Sequence, residues 1–443
     1  MTYAEAIQFL YNLRLFGAKF GLENTVKLAA LAGNPQNQLR FIHVAGTNGK
    51  GSTCAMLESI YRAASLRVGL FTSPHLISFR ERVQVNRQLI PEAAVVRLVG
   101  ELQPGLKQFP IGHHPTFFEV VTVMALKYFV EQQCDLVIWE TGLGGRLDAT
   151  NIVVPLAGAI TNIALDHQQW LGDTVEKIAA EKAGIIKPNV PIITATEDPA
   201  ALAVIEKMAR EKNAPLTIVG SASLRPQTPN RKIPKRKTGL TPVLPLLGDH
   251  QQINAALARA IVEVLQNLIP VGSEALHTGL VTVNWPGRMQ LITRPAGQRV
   301  LLDGAHNVAG ANVLLKALEK YFGGLRCTLV LGVLQDKDWR QICETLAPRA
   351  ARIITVPVSS ERTADAHLLA AACRAVNAMA EIAACDSFSE AREKIAGDDF
   401  VVVTGSLYLV GEALESFGLS MTTGGERALN EWSARPQSLS TNG

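Results

Sequence analysis

The sequence predicts an α/β protein, a large parallel-sheet unit followed by a smaller one of the same class. Short apolar, β-branched runs alternate with longer helical patterns almost from end to end, as strand-helix-strand units require. A Gly-rich turn carrying one lysine and two hydroxyls joins the first of these runs to a helix. The alternation breaks once, over residues 284–297, where Trp285-Pro286-Gly287 and Arg294-Pro295-Ala296-Gly297 bracket a short strand, and resumes at Val300. Against roughly 150 residues per domain, 443 residues fit two or three units and exclude a single small module.

In chain order, residues 1–17 read as an amphipathic helix with Glu5 and Arg14 inside it, without the basic start and uninterrupted apolar stretch of a signal peptide. Strands are predicted at 41–44, 68–71, 136–139, 157–160 and 191–194, and helices at 52–64, 118–132, 174–186, 199–212 and 252–268, bounded by Gly, Pro or Asp. After the break, strands follow at 300–303, 328–332, 352–356 and 400–404. The predicted organisation is therefore a unit at 1–286, a linker at 287–296, a second unit at 297–420 and a small, polar, disordered tail at 421–443. Residues 221–241, rich in Pro, Arg and Lys and without apolar periodicity, read as a solvated loop or hairpin.

Composition narrows the function classes. Hydrophobic residues make up 47% and charged residues 19%, an ordinary globular mixture. The net charge is +4, but Arg225, Arg231, Lys232, Lys235, Arg236 and Lys237 carry six positive charges in one segment, so the remainder is net −2. A nucleic-acid binder spreads basic charge over a face, so no nucleic-acid partner is expected. Six scattered cysteines without a C-x-x-C pair read as reduced core residues. No run approaches about 18 uninterrupted apolar residues, so the expectation is a cytoplasmic protein with no membrane partner, acting as a monomer.

The strongest local signal is Phe41-Ile42-His43-Val44-Ala45-Gly46-Thr47-Asn48-Gly49-Lys50-Gly51-Ser52-Thr53. An apolar strand enters a Gly-rich turn and a helix starts at once, so backbone N–H groups and the helix N-terminus can surround a phosphate chain. Thr47, Asn48, Gly49, Lys50, Gly51, Ser52 and Thr53 are the expected nucleotide-binding residues, with Lys50 on the β and γ phosphates and the Ser52 hydroxyl reaching Mg²⁺. Gly51 is inserted between the lysine and the serine of the common G-x-x-x-x-G-K-[ST] spacing.

With that variant loop, further blocks resemble the Mur ligase superfamily of ATP-dependent amide-forming enzymes, and within it the folylpolyglutamate synthase and dihydrofolate synthase branch. They are Phe71-Thr72-Ser73-Pro74-His75-Leu76, Glu140-Thr141-Gly142-Leu143-Gly144-Gly145-Arg146-Leu147-Asp148-Ala149-Thr150-Asn151, Ile160-Thr161-Asn162-Ile163-Ala164-Leu165-Asp166-His167, Glu181-Lys182-Ala183-Gly184-Ile185-Ile186-Lys187, Trp285-Pro286-Gly287-Arg288 and Asp303-Gly304-Ala305-His306-Asn307. They run in family order from residue 46 to about 307, with a weaker match at Thr404-Gly405-Ser406; the basic segment and the tail lie outside it. The chain departs from the family in reading Val308 where a proline usually follows, and Gln168-Gln169 where Thr-Glu commonly precedes the tryptophan.

The resemblance implies a P-loop ATPase domain followed by a Rossmann-like domain, joining L-glutamate to dihydropteroate, to reduced folates, or to both. Such a reaction turns a carboxylate into an acyl phosphate with ATP, and an amine then attacks; the site must neutralise gathering anionic charge and exclude water. Ser73 and Glu140 follow predicted strands, and His167 lies just beyond another, at the sheet edge where ligands bind. The resemblance implies that these three, with Ser52, hold one or two Mg²⁺ ions. By itself Lys182 reads as a solvated helix lysine; the resemblance implies that CO₂ carbamylates it and that it then helps hold the second metal. Thr116, Phe117, Phe118 and Glu119, with Leu147, Asp148 and Ala149, match the pterin-binding blocks, although the two phenylalanines also fit simple packing at a helix start. Asn254, Arg288 and Asp303 carry over as nucleotide contacts, and Lys50, Lys182 and His306 as the catalytic set. Monovalent cation activation is common in the family, and no residue here marks a site for it. Two alternatives are a Mur-type amide ligase acting on a non-folate carboxylate and a GTPase-like switch; the latter would need an N-K-x-D element, which is absent.

Overall fold

The computed structural model describes residues 1–16, 21–110, 113–220, 226–227, 243–294, 297–419 and 426–430. The first sheet runs β1 (Phe41–Ala45), β2 (Val68–Phe71), β3 (Val83–Val85), β4 (Gln88–Leu89), β5 (Leu136–Glu140), β6 (Ala157–Ile160), β7 (Ile192–Thr194), β8 (Leu216–Val219) and β9 (Pro226–Gln227), ordered β4-β3-β2-β5-β1-β6-β7-β8-β9. β2, β5, β1, β6, β7 and β8 pair in parallel; β3, β4 and β9 add antiparallel edges. Both faces of the centre are buried. Phe41, Val137 and Trp139 enter one apolar cluster, whereas Ile42, Val44 and Ile138 enter another across the sheet. Continuous apolar runs are what a sheet covered on both sides needs.

The second sheet comprises β10 (Gln290–Thr293), β11 (Arg299–Leu302), β12 (Cys327–Leu331), β13 (Ala350–Thr355), β14 (Glu381–Ala384) and β15 (Phe400–Thr404), ordered β10-β11-β15-β12-β13-β14. It is parallel except for β10. The predicted linker, 287–296, therefore contains a strand of the second sheet: Gln290–Thr293 pairs antiparallel with β11, and beyond it the Arg294 N–H donates to Gln298 O at 2.8 Å and the Gly297 N–H to Arg294 O at 2.9 Å.

Local chemistry sets the helix starts. Gly49 caps the helix Lys50–Ala63 with φ of 86°, a left-handed conformation suited to glycine. Thr116 and Glu119 form a capping box at the helix Phe117–Glu131. Asp198 and Pro199 open the helix Pro199–Glu211, and the Asn307 side chain caps the helix Val308–Phe322. Strands β3, β4, β8, β9 and β14, of two to four residues and at or next to a sheet edge, lie outside the predicted set. All six cysteines are buried and unpaired. No helix among the described residues is long and apolar enough to cross a membrane.

The basic segment read as a loop lies, apart from Pro226–Gln227, outside the described residues. Of the segment 421–443 read as a tail, 421–425 and 431–443 lie outside the described residues; Glu426–Asn430 form a 3-10 turn with Leu429 buried in the first unit's core, which corrects the reading there.

Candidate active site

Ligands of open α/β sheets sit beyond the carboxyl ends of the strands, and here those ends from both sheets converge on one cavity of about 690 Å³. β1 delivers the loop Gly46–Gly49, β2 leads to Ser73, β5 ends at Glu140, and β6 runs on through Thr161 and Asn162 to Asp166 and His167. From the second sheet, β11 leads into Asp303 and His306, β12 towards Lys337, and β15 into Ser406. Every candidate nucleotide, metal, acceptor and catalytic residue named from the sequence lines this cavity except Thr53, whose hydroxyl is buried in the helix Lys50–Ala63 without a hydrogen-bond partner.

The loop is held from several sides. The Thr47 N–H donates to Asn162 O (2.8 Å), the Asn48 N–H to Asn162 Oδ1 (2.7 Å), and the Thr161 hydroxyl to Asn48 O (2.7 Å). A Cβ at Gly46, where φ is 146°, would stand 1.8 Å from Thr161 Oγ1; at Gly51 it would stand 3.0 Å from Trp285 Nε1. The inserted glycine thus makes room for an indole at the start of the helix. Lys50 Nζ donates to Gly46 O (3.1 Å) and Thr47 O (3.2 Å), folded over its own loop. Gln251 Nε2 donates to Ser52 Oγ (3.3 Å) and Asn254 Nδ2 to Gln251 Oε1 (3.0 Å), linking the helix Asp249–Val264 to the loop.

Two buried ionisable groups line the cavity here, Glu140 and Lys182. Burial pushes the Glu140 carboxyl up to about 7 against the opposing pull of Lys50, and Ser73 N–H bonds one of its oxygens at 3.1 Å. Burial, reinforced by Lys50, pushes the Lys182 amine down to about 7; its Nζ donates to Gly46 O at 2.8 Å. Hydroxyl and carboxylate oxygens suit a hard divalent ion, and a cation would favour the ionised form of Glu140. Burial likewise holds His167 down to about 3, so its ring is neutral.

A second polar centre joins the two units. The Asp166 carboxylate accepts from Lys337 Nζ (2.6 Å) and Asn307 Nδ2 (2.9 Å), with His306 Nε2 at 3.7 Å and His167 Nε2 at 3.9 Å. Burial would raise its pKa, but His167, Lys337 and His306 together hold it well below the usual carboxylate range. Asn307 also pairs reciprocally with Asn48, at 3.2 and 3.1 Å, fastening the phosphate loop to the second unit. The sequence reading did not select Asp166 or Lys337. The only signal for Asp166 was its place beside His167; nothing pointed to Lys337.

Other expected contacts have structural partners. Asp303 accepts from the N–H groups of Met289 and Ala305, both at 2.9 Å, so its carboxylate braces the turn at the cavity wall. Glu119 accepts from Thr116 N–H (2.7 Å) and from the Thr25 hydroxyl (3.3 Å), and Asp148 accepts from the N–H groups of Leu143 and Thr150, at 2.7 and 3.0 Å. Phe118 lies 5.9 Å from Phe71 and close against Gly142, while Phe117 packs edge-on to Phe79. His306 Nδ1 bonds Gly304 O at 2.8 Å. Arg288 is half-buried, and its desolvation lowers its pKa despite Asp303 nearby.

Residues 44–262 match the Mur ligase middle domain and residues 287–407 the Mur ligase glutamate ligase domain. The chain is 36% identical over 424 residues to a dihydrofolate synthase/folylpolyglutamate synthase of Bacillus subtilis, covering 93% of this chain and 98% of that one. To the Escherichia coli protein of the same name it is 35% identical, covering 93% and 94%. Among solved structures, Escherichia coli FolC in complex with DHPP and ADP superposes with a TM-score of 0.83 at 32% identity, covering 94% of this chain and 98% of that one. A folylpolyglutamate synthase of Thermotoga maritima gives 0.81 at 34%, covering 97% and 99%.

Proposed function

Because the chain belongs to the Mur ligase family as a folylpolyglutamate synthase/dihydrofolate synthase, and so is an ATP-using glutamate ligase, we propose how its own residues perform the reaction. The observation that carries the proposal is the convergence, in one cavity, of the phosphate loop, two buried ionisable groups at neutral pH and an aromatic-lined end beside Thr116–Glu119.

Backbone N–H groups of Gly49–Ser52, at the N-terminus of the helix Lys50–Ala63, hold the phosphate chain of ATP, and Lys50 leaves its loop carbonyls to pair with the β and γ phosphates. Asn254, on the helix Asp249–Val264, and Arg288 complete the nucleotide side; Asp303 holds the backbone next to Arg288 in place. Phe117, Phe118, Leu147 and Ala149 form the apolar walls of the acceptor end. Glu119 and Asp148 keep the two segments of that wall folded, through the capping box and the Leu143–Thr150 turn.

The acceptor carboxylate attacks the γ phosphorus, giving an acyl phosphate and ADP. The amine of L-glutamate then adds to the acyl carbon, the amide forms, and inorganic phosphate leaves with the oxygen that the carboxylate supplied. Lys50 and Arg288 stabilise the charge developing on the transferred phosphoryl group, while closure between the two units excludes water. His306, held by Gly304 and facing Asp166, orients the glutamate side.

Ser52, Ser73, Glu140, His167 and carbamylated Lys182 would hold Mg²⁺, which when bound neutralises charge between the phosphates and the acceptor carboxylate. Lys182 suits carbamylation: at a pKa near 7 about half of its amine is neutral at pH 7, and it loses one proton as it bonds to the carbon of CO₂. The chain is taken to act as a monomer in the cytoplasm.

The test is phosphate release from the purified protein with Mg²⁺, ATP and L-glutamate, comparing 7,8-dihydropteroate, tetrahydrofolate and no acceptor, with products weighed by mass spectrometry. Release that depends on an acceptor and adds one glutamate residue supports the reading, and turnover with both acceptors makes the enzyme bifunctional. Silence with both acceptors refutes the folate assignment.

A further inference from the structure

The turn Glu426–Asn430 lies beyond both matched domains yet returns to the first unit at the acceptor end of the cavity, where Leu429 and Asn430 are part of the lining. Its contacts are specific. Glu426 Oε2 accepts from the Ser78 hydroxyl (2.9 Å) and from Phe79 N–H (2.6 Å), at the start of the short helix Phe79–Arg82. Asn430 Oδ1 accepts from Arg82 Nη2 (2.5 Å), and Asn430 Nδ2 donates to His75 O (2.8 Å). Leu429 is 2% exposed and belongs to the same apolar cluster as Phe79 and Phe117.

These bonds fix a chain of orientation. Arginine has only donors, so the Arg82 Nε bond to His75 Nδ1 (2.9 Å) makes that nitrogen the acceptor. The proton then sits on Nε2, which donates to Glu426 O at 3.0 Å. Arg82 is 3% exposed, and its guanidinium stands 5.3 Å from the centre of the Phe117 ring. The turn thus supplies an acceptor for this buried cation and fixes the tautomer of the histidine beside it. At its other end, Arg427 pairs with Glu415 on the helix Leu407–Ser416 of the second unit.

We infer that Glu426–Asn430 is a positioning strap for the acceptor pocket: Asn430 holds Arg82, Arg82 holds the Phe117 wall, and the strap ties that wall to the second unit. Leu429 and Asn430 therefore complete the pocket for the carboxylate-bearing acceptor. This inference rests on the assignment of that end of the cavity to the pterin-type acceptor.

The test is Asn430→Ala beside Asn430→Asp, which keeps an oxygen for Arg82. Losing an acceptor for a charged donor should raise KM for the acceptor about tenfold in Asn430→Ala, with KM for ATP within about twofold of wild type, and Asn430→Asp should restore most of the difference. Unchanged acceptor KM, a proportional rise in the KM of ATP, or no rescue by Asp overturns the strap. Hydrogen exchange on the ligand-free enzyme separates this inference from the assigned chemistry. Amides of Phe79–Arg82 and of residues 117–119 should exchange faster in Asn430→Ala whichever acceptor the enzyme uses, and unchanged exchange there also overturns the strap. A wild-type enzyme inert towards both folate acceptors, with exchange altered as described, would refute the substrate assignment and leave the strap standing.

Discussion

Replacing Asp166 tests the junction between the two units most sharply. Its carboxylate and the Lys337 ammonium are each 7% exposed, with the atoms 2.6 Å apart, and Asn307 donates a further bond from the second unit. Removing one partner of a buried pair costs about 3–5 kcal/mol, because the remaining charge is left uncompensated. An exposed pair would contribute at most about 1 kcal/mol. Asp166→Ala should therefore destabilise the protein by about 4 kcal/mol. Lys337→Met should cost less, because Asp166 keeps Asn307 and lies beside His167 and His306. Urea unfolding of both variants and the double variant, followed by tryptophan fluorescence, gives the coupling energy; the buried geometry predicts about 2–3 kcal/mol. Acid titration adds an independent check. A carboxyl whose folded pKa is depressed contributes stability that is complete above its unfolded value and is lost as pH falls below it. The Asp166 contribution should therefore fade below the ordinary 3.8, and Asp166→Ala should lack that part of the acid loss. A coupling energy below about 0.5 kcal/mol would mean that the pair behaves as a solvated one and would refute the reasoning.

Gly46→Ala should raise KM for ATP at least about tenfold, since the added carbon meets Thr161 Oγ1 at 1.8 Å and the backbone is left-handed; a normal KM would remove the loop from the nucleotide site. For Lys182, pushed down to about 7 by burial, the neutral fraction should climb from about a tenth at pH 6 to about nine tenths at pH 8. With ¹³C-labelled bicarbonate, a carbamate resonance should grow over that range and be missing in Lys182→Ala; equal signals at both pH values would exclude the mechanism. Lys182→Ala should lose most activity and recover part of it with acetate or another small carboxylate, while a full-rate variant would show that the amine has no role.

What the sequence made legible follows from range. The phosphate loop, the strand-end blocks and the helices near residues 50, 117 and 199 are written in contiguous chemistry, where a glycine, a cap and an apolar run lie within a few residues of one another. The Thr116–Glu119 spacing carried two meanings at once. It matched a pterin block, and it is also the threonine-to-glutamate spacing of a capping box, which is what the hydrogen bonds display. Lys337 and Asp166 stand 171 residues apart, and Arg82 and Asn430 348 residues apart, so neither pair leaves a local pattern. The turn at 426–430 was hidden for the same reason: a single buried leucine among small polar residues has no periodicity, and its partners are fixed only once β2 and the helix Phe79–Arg82 are folded. The antiparallel strands β3, β4 and β9 escaped because two or three residues hold too few side chains to show alternation.

The proposed reaction makes its amide by way of an acyl phosphate, and turnover of dihydropteroate doubly labelled with ¹⁸O in its carboxylate, with ATP and L-glutamate, tests that step. One ¹⁸O atom should appear in each inorganic phosphate released and the other should stay in the new amide carbonyl. Phosphate free of label, formed at the same rate as the amide, would contradict it.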